Sequence, residues 1–211
     1  MDFIVAFRRF KIMKNPLNNT NFIKSAIGAQ DFVTDSGMEI AVIGRSNAGK
    51  SSAINKICNN KKLAKTSKKP GRTQAINFFE ICPNKRLVDL PGYGYANISM
   101  QTRKQWNELL NAYFATRKSL CCIFLTVDIR RSVGTMDVEV MDWIMNLRPE
   151  LSIHILLTKS DALSRSNVAQ TLNDTLYSVE KNDHISVQIF SSHDSTGVND
   201  ARREIIQRLS L

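Results

Sequence analysis

Nothing in this chain of 211 residues is apolar for long enough to cross a bilayer: the longest such stretch, Leu120 to Val127, falls far short of the roughly 20 residues that a spanning helix needs. No membrane association is therefore expected. Met1 to Lys11 mixes Phe3, Ile4, Val5 and Phe7 with Arg8, Arg9 and Lys11, too interrupted for the core of a signal peptide. A cytoplasmic protein is the expectation, with a mitochondrial presequence as the alternative reading of that basic, acid-poor start. Cysteine is scarce, and Cys58, Cys82, Cys121 and Cys122 form no C-x-x-C pair and have no histidine at zinc-site spacing. They read as reduced core thiols. His154, His184 and His193 are scattered, which speaks against a histidine-based metal centre or general base. No Pro/Gly/Ser-rich linker divides the chain, so one domain is expected. Acidic residues are the minority, 19 against 29 basic ones, for a net charge of +10. That balance favours a polyanionic partner such as RNA through long-range attraction and counterion release, although the same charge also aids solubility.

What the chain does contain is Gly44-Arg45-Ser46-Asn47-Ala48-Gly49-Lys50-Ser51, a G-x-x-x-x-G-K-S pattern directly after the apolar run Met38 to Ile43. A strand feeding a glycine-containing loop places backbone N–H groups around a phosphate chain, and a following helix aims its positive end at the same charge. Lys50 would reach the terminal phosphates, Ser51 would ligate Mg²⁺, and Ser52 would continue the helix beside them. Asp89-Leu90-Pro91-Gly92 is a D-x-x-G element: its carboxylate suits a Mg²⁺-bound water and the Gly92 N–H the terminal phosphate. Thr158-Lys159-Ser160-Asp161 offers a carboxylate to guanine N1–H and the exocyclic amine, which adenine cannot match, with the Lys159 stem along the base. Ser191 and Ser192, followed by Gly197, would close the base pocket, the Ser192 N–H meeting guanine O6. Gly71-Arg72-Thr73 lies in the loop before the second strand, where the Thr73 hydroxyl would complete Mg²⁺ coordination only with a terminal phosphate present.

The periodicity supplies the frame. Strands are expected at Met38–Ile43, Ala75–Cys82, Lys85–Leu90, Leu120–Asp128, Ser152–Thr158 and Ile185–Ser191, and helices near Ser52–Asn59, Gln101–Lys118, Thr135–Leu147, Asn167–Lys181 and Gly197–Leu209. The short connection at Pro83-Asn84 implies one antiparallel pair, while alternation of apolar strands with helices implies a mainly parallel sheet covered on both faces. Ligands bind beyond the carboxyl ends of such strands, where Gly44, Asp89, Thr158 and Ser191 fall.

Taken with Lys69-Pro70-Gly71-Arg72-Thr73-Gln74, Asn77-Phe78-Phe79, Gly92-Tyr93-Gly94-Tyr95-Ala96 and Asp128-Ile129-Arg130, these motifs resemble the EngB (YihA/YsxC) GTPases of the TRAFAC class. The resemblance implies an α/β, three-layer P-loop NTPase fold of the Ras-like G-domain type, with a mostly parallel six-stranded sheet, one antiparallel edge strand and helices on both faces. It covers 22–211 as the G domain and leaves 1–21 as an N-terminal extension. It further implies a bacterial Mg²⁺-dependent GTPase, expected to be monomeric, that binds GTP and GDP and acts on a precursor of the large ribosomal subunit (rRNA and ribosomal proteins), needed for normal growth and division. Lys50, Thr73 and Gly92 would be its catalytic groups, and Ser51, Thr73 and Asp89 would serve the metal.

Where Ras-like switches carry a water-orienting glutamine after the D-x-x-G glycine, this chain has Tyr93, so slow hydrolysis without a partner is expected. Asn47 has two readings: in potassium-activated relatives an asparagine here helps hold K⁺ near the phosphates, and otherwise it braces the loop through a backbone hydrogen bond. Lys61, Lys62, Lys65, Lys68, Lys69 and Arg72, near Tyr93 and Tyr95, suit RNA phosphates and stacked bases, and Arg202, Arg203 and Arg208 form a second basic group. Both groups read equally well as solvated faces. A nucleotide-gated RNA-binding module with incidental hydrolysis is the competing function. A nucleotide kinase lacks its arginine-rich lid here and leaves Asp161 unexplained.

Overall fold

Runs rich in β-branched and aromatic residues make seven strands in a computed structural model that describes residues 15–65, 75–94, 99–180 and 182–211. They are β1 (Asn21–Ala26), β2 (Met38–Gly44), β3 (Ile76–Cys82), β4 (Lys85–Asp89), β5 (Leu120–Asp128), β6 (Ser152–Thr158) and β7 (Ile185–Ile189), joined in one sheet of order β1-β3-β4-β2-β5-β6-β7. The helices are α1 (Lys50–Ile57), α2 (Met100–Thr116), α3 (Thr135–Leu147), α4 (Arg165–Val179) and α5 (Val198–Arg208). β2 pairs in parallel with β4 and β5, and β5, β6 and β7 continue in parallel.

Because strand side chains alternate between faces, consecutive residues of β2 enter different cores. Ile40 and Val42 pack with Phe79, Leu87 and Phe124 beneath Ala53, Ile54 and Ile57 of α1 and Val198, Ala201 and Ile205 of α5. Ala41 and Ile43 pack with Phe78, Ile123 and Leu125 beneath Leu110, Tyr113 and Phe114 of α2 and Met141 and Ile144 of α3, with Val168 and Leu172 of α4 at the margin. Burial on both faces explains why β5 and β6 read as continuous apolar runs rather than alternating ones. Cys58 and Cys122 lie inside these cores, where burial pushes each thiol up to about 11 and keeps it unreactive at neutral pH.

Two expectations need correcting. The sheet has seven strands, not six, and the antiparallel strand β3 is not its edge, because β1 pairs antiparallel with it through Phe22↔Phe79 and Ser25↔Asn77. Five of the six β1 residues are exposed, so no hydrophobic alternation announced the strand. Just before it, Asn15 caps a short 3-10 turn at Pro16–Asn19, accepting the Leu17 N–H at 3.1 Å, and the Leu17 side chain is fully buried against the α1 face. The last strand ends at Ile189 rather than Ser191. Among the described residues no helix is long and apolar enough to cross a membrane.

Candidate functional site

Gly44 ends β2 against β5, and a Cβ there would lie 2.0 Å from Thr126 Oγ1, so only glycine fits. The chain then turns tightly, with the Ala48 N–H donating to Arg45 O at 2.9 Å. Asn47 (φ 65°) and Gly49 (φ 87°) both take the left-handed conformation. That alternation curls successive N–H groups toward one side, the concave arrangement that receives anions. Helix α1 starts at Lys50 and its first N–H groups have no partner within the helix, which adds a second set of donors at the same place.

Each neighbouring strand end contributes one further piece. From β4, the buried Asp89 pairs with Lys50 Nζ and lies 3.4 Å from Asn77 Nδ2. Immediately after it, Tyr93 bridges to the loop: Ser46 N–H donates to Tyr93 O at 2.8 Å and Tyr93 N–H to Gly44 O at 3.2 Å. Gly92 lies between this anchor and the Leu90 N–H, which donates to Val42 O at 3.0 Å. From β6, the Thr158 hydroxyl sits 2.6 Å from Ala48 O and 3.0 Å from Val127 O, bracing the loop from below. Lys159, itself left-handed at φ 61°, stretches back to donate to Asn47 O at 2.7 Å and Asp128 Oδ2 at 2.8 Å. Asp161 follows on a 3-10 turn, exposed, with one oxygen taken by Ser191 Oγ at 2.6 Å. The arrangement can hold a polyphosphate on backbone donors and a lysine, and presents the Asp161 carboxylate at the same end of the sheet.

Comparison with known proteins agrees with this geometry. Residues 39–159 match the family described as 50S ribosome-binding GTPase. The chain is 44% identical over 187 residues to the probable GTP-binding protein EngB of Coxiella burnetii, covering 88% of this chain and 90% of that protein, and 41% identical to the probable GTP-binding protein EngB of Nitrosomonas europaea over 90% and 85%. The chain belongs to the EngB family of GTP-binding proteins. It is accordingly a GTPase. Its fold superimposes on a crystal structure of a probable GTP-binding protein EngB with a TM-score of 0.63 at 20% identity, covering 82% and 98% of the two chains. It also matches Era, solved in complex with MgGDPNP and 16S ribosomal RNA, with a TM-score of 0.61 at 15% identity over 82% and 57%.

Several groups of this EngB-family site escaped sequence reasoning. Asp128 had appeared only within the family motif, yet it accepts Arg130 Nε at 2.9 Å, Arg130 Nη2 at 2.7 Å and Lys159. Burial alone would raise its carboxyl, but the Arg130 and Lys159 hydrogen bonds hold it well below the usual carboxylate range. Ser191, fully buried, orients Asp161 through its hydroxyl and accepts the His193 and Asp194 N–H groups.

Tyr93 is not a surface ring for stacking bases. It is 6% exposed and its hydroxyl donates to Asp137 at 2.5 Å, an arrangement in which burial, then the Asp137 hydrogen bond, raises the phenol far above its usual range. Of the second basic group, Arg202 is turned into the fold, donating to Ile57 O and Lys56 O at 2.9 and 3.1 Å, while Arg203 pairs with Asp200 at the surface and the half-buried Arg208 pairs with Glu204 at 2.8 Å. Lys61, Lys62 and Lys65 are exposed just beyond α1. Asn47 is exposed, and the brace it provides comes from its carbonyl, which accepts Lys159, rather than from its side chain. Gly71, Arg72, Thr73, Lys68, Lys69 and Tyr95 lie outside the described residues, and Ser52 and Ser192 flank the loop and the Asp161 turn without deciding the geometry.

Proposed function

We propose that this GTPase is a switch in assembly of the large ribosomal subunit, with GTP hydrolysis timing its attachment to and release from a precursor particle. The observation that carries the site assignment is the convergence, at one end of the sheet, of left-handed loop residues Asn47 and Gly49, the start of α1, Asp89 and the Ser191-oriented Asp161. Lys50 and the loop N–H groups would stabilise charge developing on the terminal phosphoryl oxygens, with the Gly92 N–H as a further donor. Asp161 would read guanine, because insertion of adenine would desolvate its carboxylate without returning the N1–H bond.

The donor set fits Mg²⁺. It consists of hard oxygens, the Ser51 hydroxyl at the first turn of α1 and the Asp89 carboxylate at the end of β4, and it is too sparse for a metal held by protein alone, as expected for an ion shared with phosphates. Bound there, Mg²⁺ would neutralise phosphate charge, while Ser51 and Asp89 would hold it and Thr73 would be its third protein ligand. A potassium ion beside the exposed Asn47 side chain is compatible with the same loop.

The ribosomal part of the proposal draws support from the matching family description, from the +10 net charge and from the exposed Lys61, Lys62 and Lys65. Titration with fluorescent GDP and GTP analogues, using ATP as competitor, tests the site: guanine-selective binding is expected, and equal affinity for ATP overturns it. Sedimentation with large-subunit precursors in GTP-analogue and GDP states tests the switch. Binding that ignores the nucleotide would favour an RNA-binding module instead.

A further inference from the structure

The carboxylate of Asp137 performs two tasks at once. Its Oδ2 accepts the Gly134 N–H at 2.9 Å and so caps the first turn of α3, while its Oδ1 accepts the Tyr93 hydroxyl at 2.5 Å. It is 4% exposed, and both oxygens are therefore committed to protein donors. Tyr93 directly follows Gly92, and its own N–H and C=O are bonded to Gly44 and Ser46 of the phosphate loop. Together with the Leu90 N–H, which donates to Val42 O at 3.0 Å, these bonds hold the two ends of the Leu90–Tyr93 segment against β2. The phenol, anchored on a different element, adds a polar point that fixes the rotation of the buried ring and of the peptide before it. On the outer side Gly92, Tyr93 and Gly94 form one wall of a cleft of about 300 Å³ whose other walls include Trp106 and Met136.

We propose that Asp137 is a positioning residue for hydrolysis: through the Tyr93 hydroxyl it sets the direction in which the Gly92 N–H points. The proposal rests on the GTPase site described above. It gives the residue that stands after the D-x-x-G glycine a different use from orienting water, since its side chain is turned inward and its hydroxyl is already donated. A misplacement of a donor by a fraction of an ångström costs rate without costing the bulk of the ligand contacts.

The test is single-turnover GTP hydrolysis by Tyr93→Phe, which keeps the ring and its packing, with rates scaled to the fraction of protein that binds GDP. The expected result is a rate at saturating GTP about tenfold below wild type, with GDP and GTP affinities within about twofold. Asp137→Asn keeps one acceptor oxygen, enough for the Tyr93 hydroxyl but not for the Gly134 N–H as well, and is expected to keep most of the rate at some cost in stability, with the double variant no slower than Tyr93→Phe. An unchanged saturating rate in Tyr93→Phe overturns the proposal. So does a fall that is matched by an equal loss of GDP affinity, because that pattern belongs to a merely structural contact. Absence of guanine-nucleotide binding by the wild type would instead remove the underlying site reading, leaving the two failures distinguishable.

Discussion

The two ends of the parallel sheet both hold buried charge, but they handle it in opposite ways. At the end where β2 begins, Glu39 is fully buried and accepts from Arg86 Nη1 at 3.0 Å, Arg117 Nε at 3.1 Å, Arg117 Nη2 and Tyr113 Oη at 3.2 Å. The arginines spend their remaining donors on Ser36 O at 2.7 Å and Val33 O at 2.6 Å, and Arg117 also lies over the Phe78 ring at 5.5 Å. Among the described residues, the charged groups of this cluster are answered within the protein. At the end where the strands finish, among the described residues, Asp89 pairs with Lys50 and Asp161 accepts from Ser191, each with further lone pairs to offer, and the N–H groups opening α1 have no partner within the helix. A closed network makes a scaffold, and an incomplete one makes a site. Charge burial by itself does not separate the two; the count of unspent hydrogen-bonding capacity does.

The comparison breaks most visibly at Glu39. Its replacement by alanine strands two buried guanidinium groups, a change that costs on the order of 3–5 kcal/mol. Denaturant titration of Glu39→Ala should show a loss of that size, with GDP affinity unchanged in the molecules that remain folded. A loss below about 1 kcal/mol would mean that water reaches the cluster and that the two ends are less different than their geometry suggests. At the other end the expected effect is on selectivity rather than stability. Asp161→Asn should weaken guanine nucleotides by roughly 10- to 100-fold, the worth of a charged hydrogen bond, and improve xanthine nucleotides, with the unfolding midpoint little changed. Unaltered base preference in that variant would detach Asp161 from base recognition.

How much of this was legible in the sequence divides along the same line. Gly44, Gly49, Lys50, Asp89 and Asp161 were readable because a phosphate loop and a base-reading carboxylate impose fixed spacings on chemically irreplaceable residues. Six strands and five helices were readable from periodicity, since burial on both faces leaves continuous apolar runs. The Glu39 network was not, because its members stand in β2, β4 and at the end of α2 with no local pattern joining them; a lone glutamate inside the run Met38 to Ile43 was the only hint. The Tyr93–Asp137 bond and β1 were hidden for related reasons: one joins residues 44 positions apart, and the other is an edge strand with an exposed, unpatterned face.

Arg202 sharpens the comparison at smaller scale, since a basic residue that reads equally as an RNA contact or a solvated charge closes the C-terminal end of α1. Its two bonds satisfy carbonyls that the helix cannot, where the dipole also favours a cation. Arg202→Ala should lower stability by about 1–2 kcal/mol. RNA retention on a filter should be unaffected, whereas replacing Lys61, Lys62 and Lys65 together should reduce it and leave stability alone. The reverse pattern would return α5 to the nucleic-acid surface.

The smallest effect is a proton. His154 lies in β6, buried between Ser186 Oγ, 2.7 Å from Nδ1, and Gln188 Oε1, 2.9 Å from Nε2, with Phe124 beside the ring at 4.8 Å. The Gln188 amide nitrogen donates to Gly197 O at 2.8 Å, so its oxygen faces the ring and places the imidazole proton on Nε2. Burial lowers the pKa of His154 in the folded state, an effect the Gln188 bond and nearby Glu204 only partly oppose while Arg208 adds to it. The unfolded chain therefore takes up this proton first, and the stability present at neutral pH is lost as pH falls below about 6.5, with a slope of at most about 1.4 kcal/mol per pH unit. Unfolding midpoints at pH 7.5 and 5.5 should separate more in wild type than in His154→Gln, which keeps a polar group but cannot titrate. Base selectivity should stay constant across the same range, because His154 belongs to the closed part of the molecule and touches none of the groups at the phosphate end. Equal separation in the two proteins would assign the acid sensitivity of this range to a group other than His154; the carboxyls of Asp128 and Asp35, both held below their usual range, lose their contribution only as pH falls below about 4.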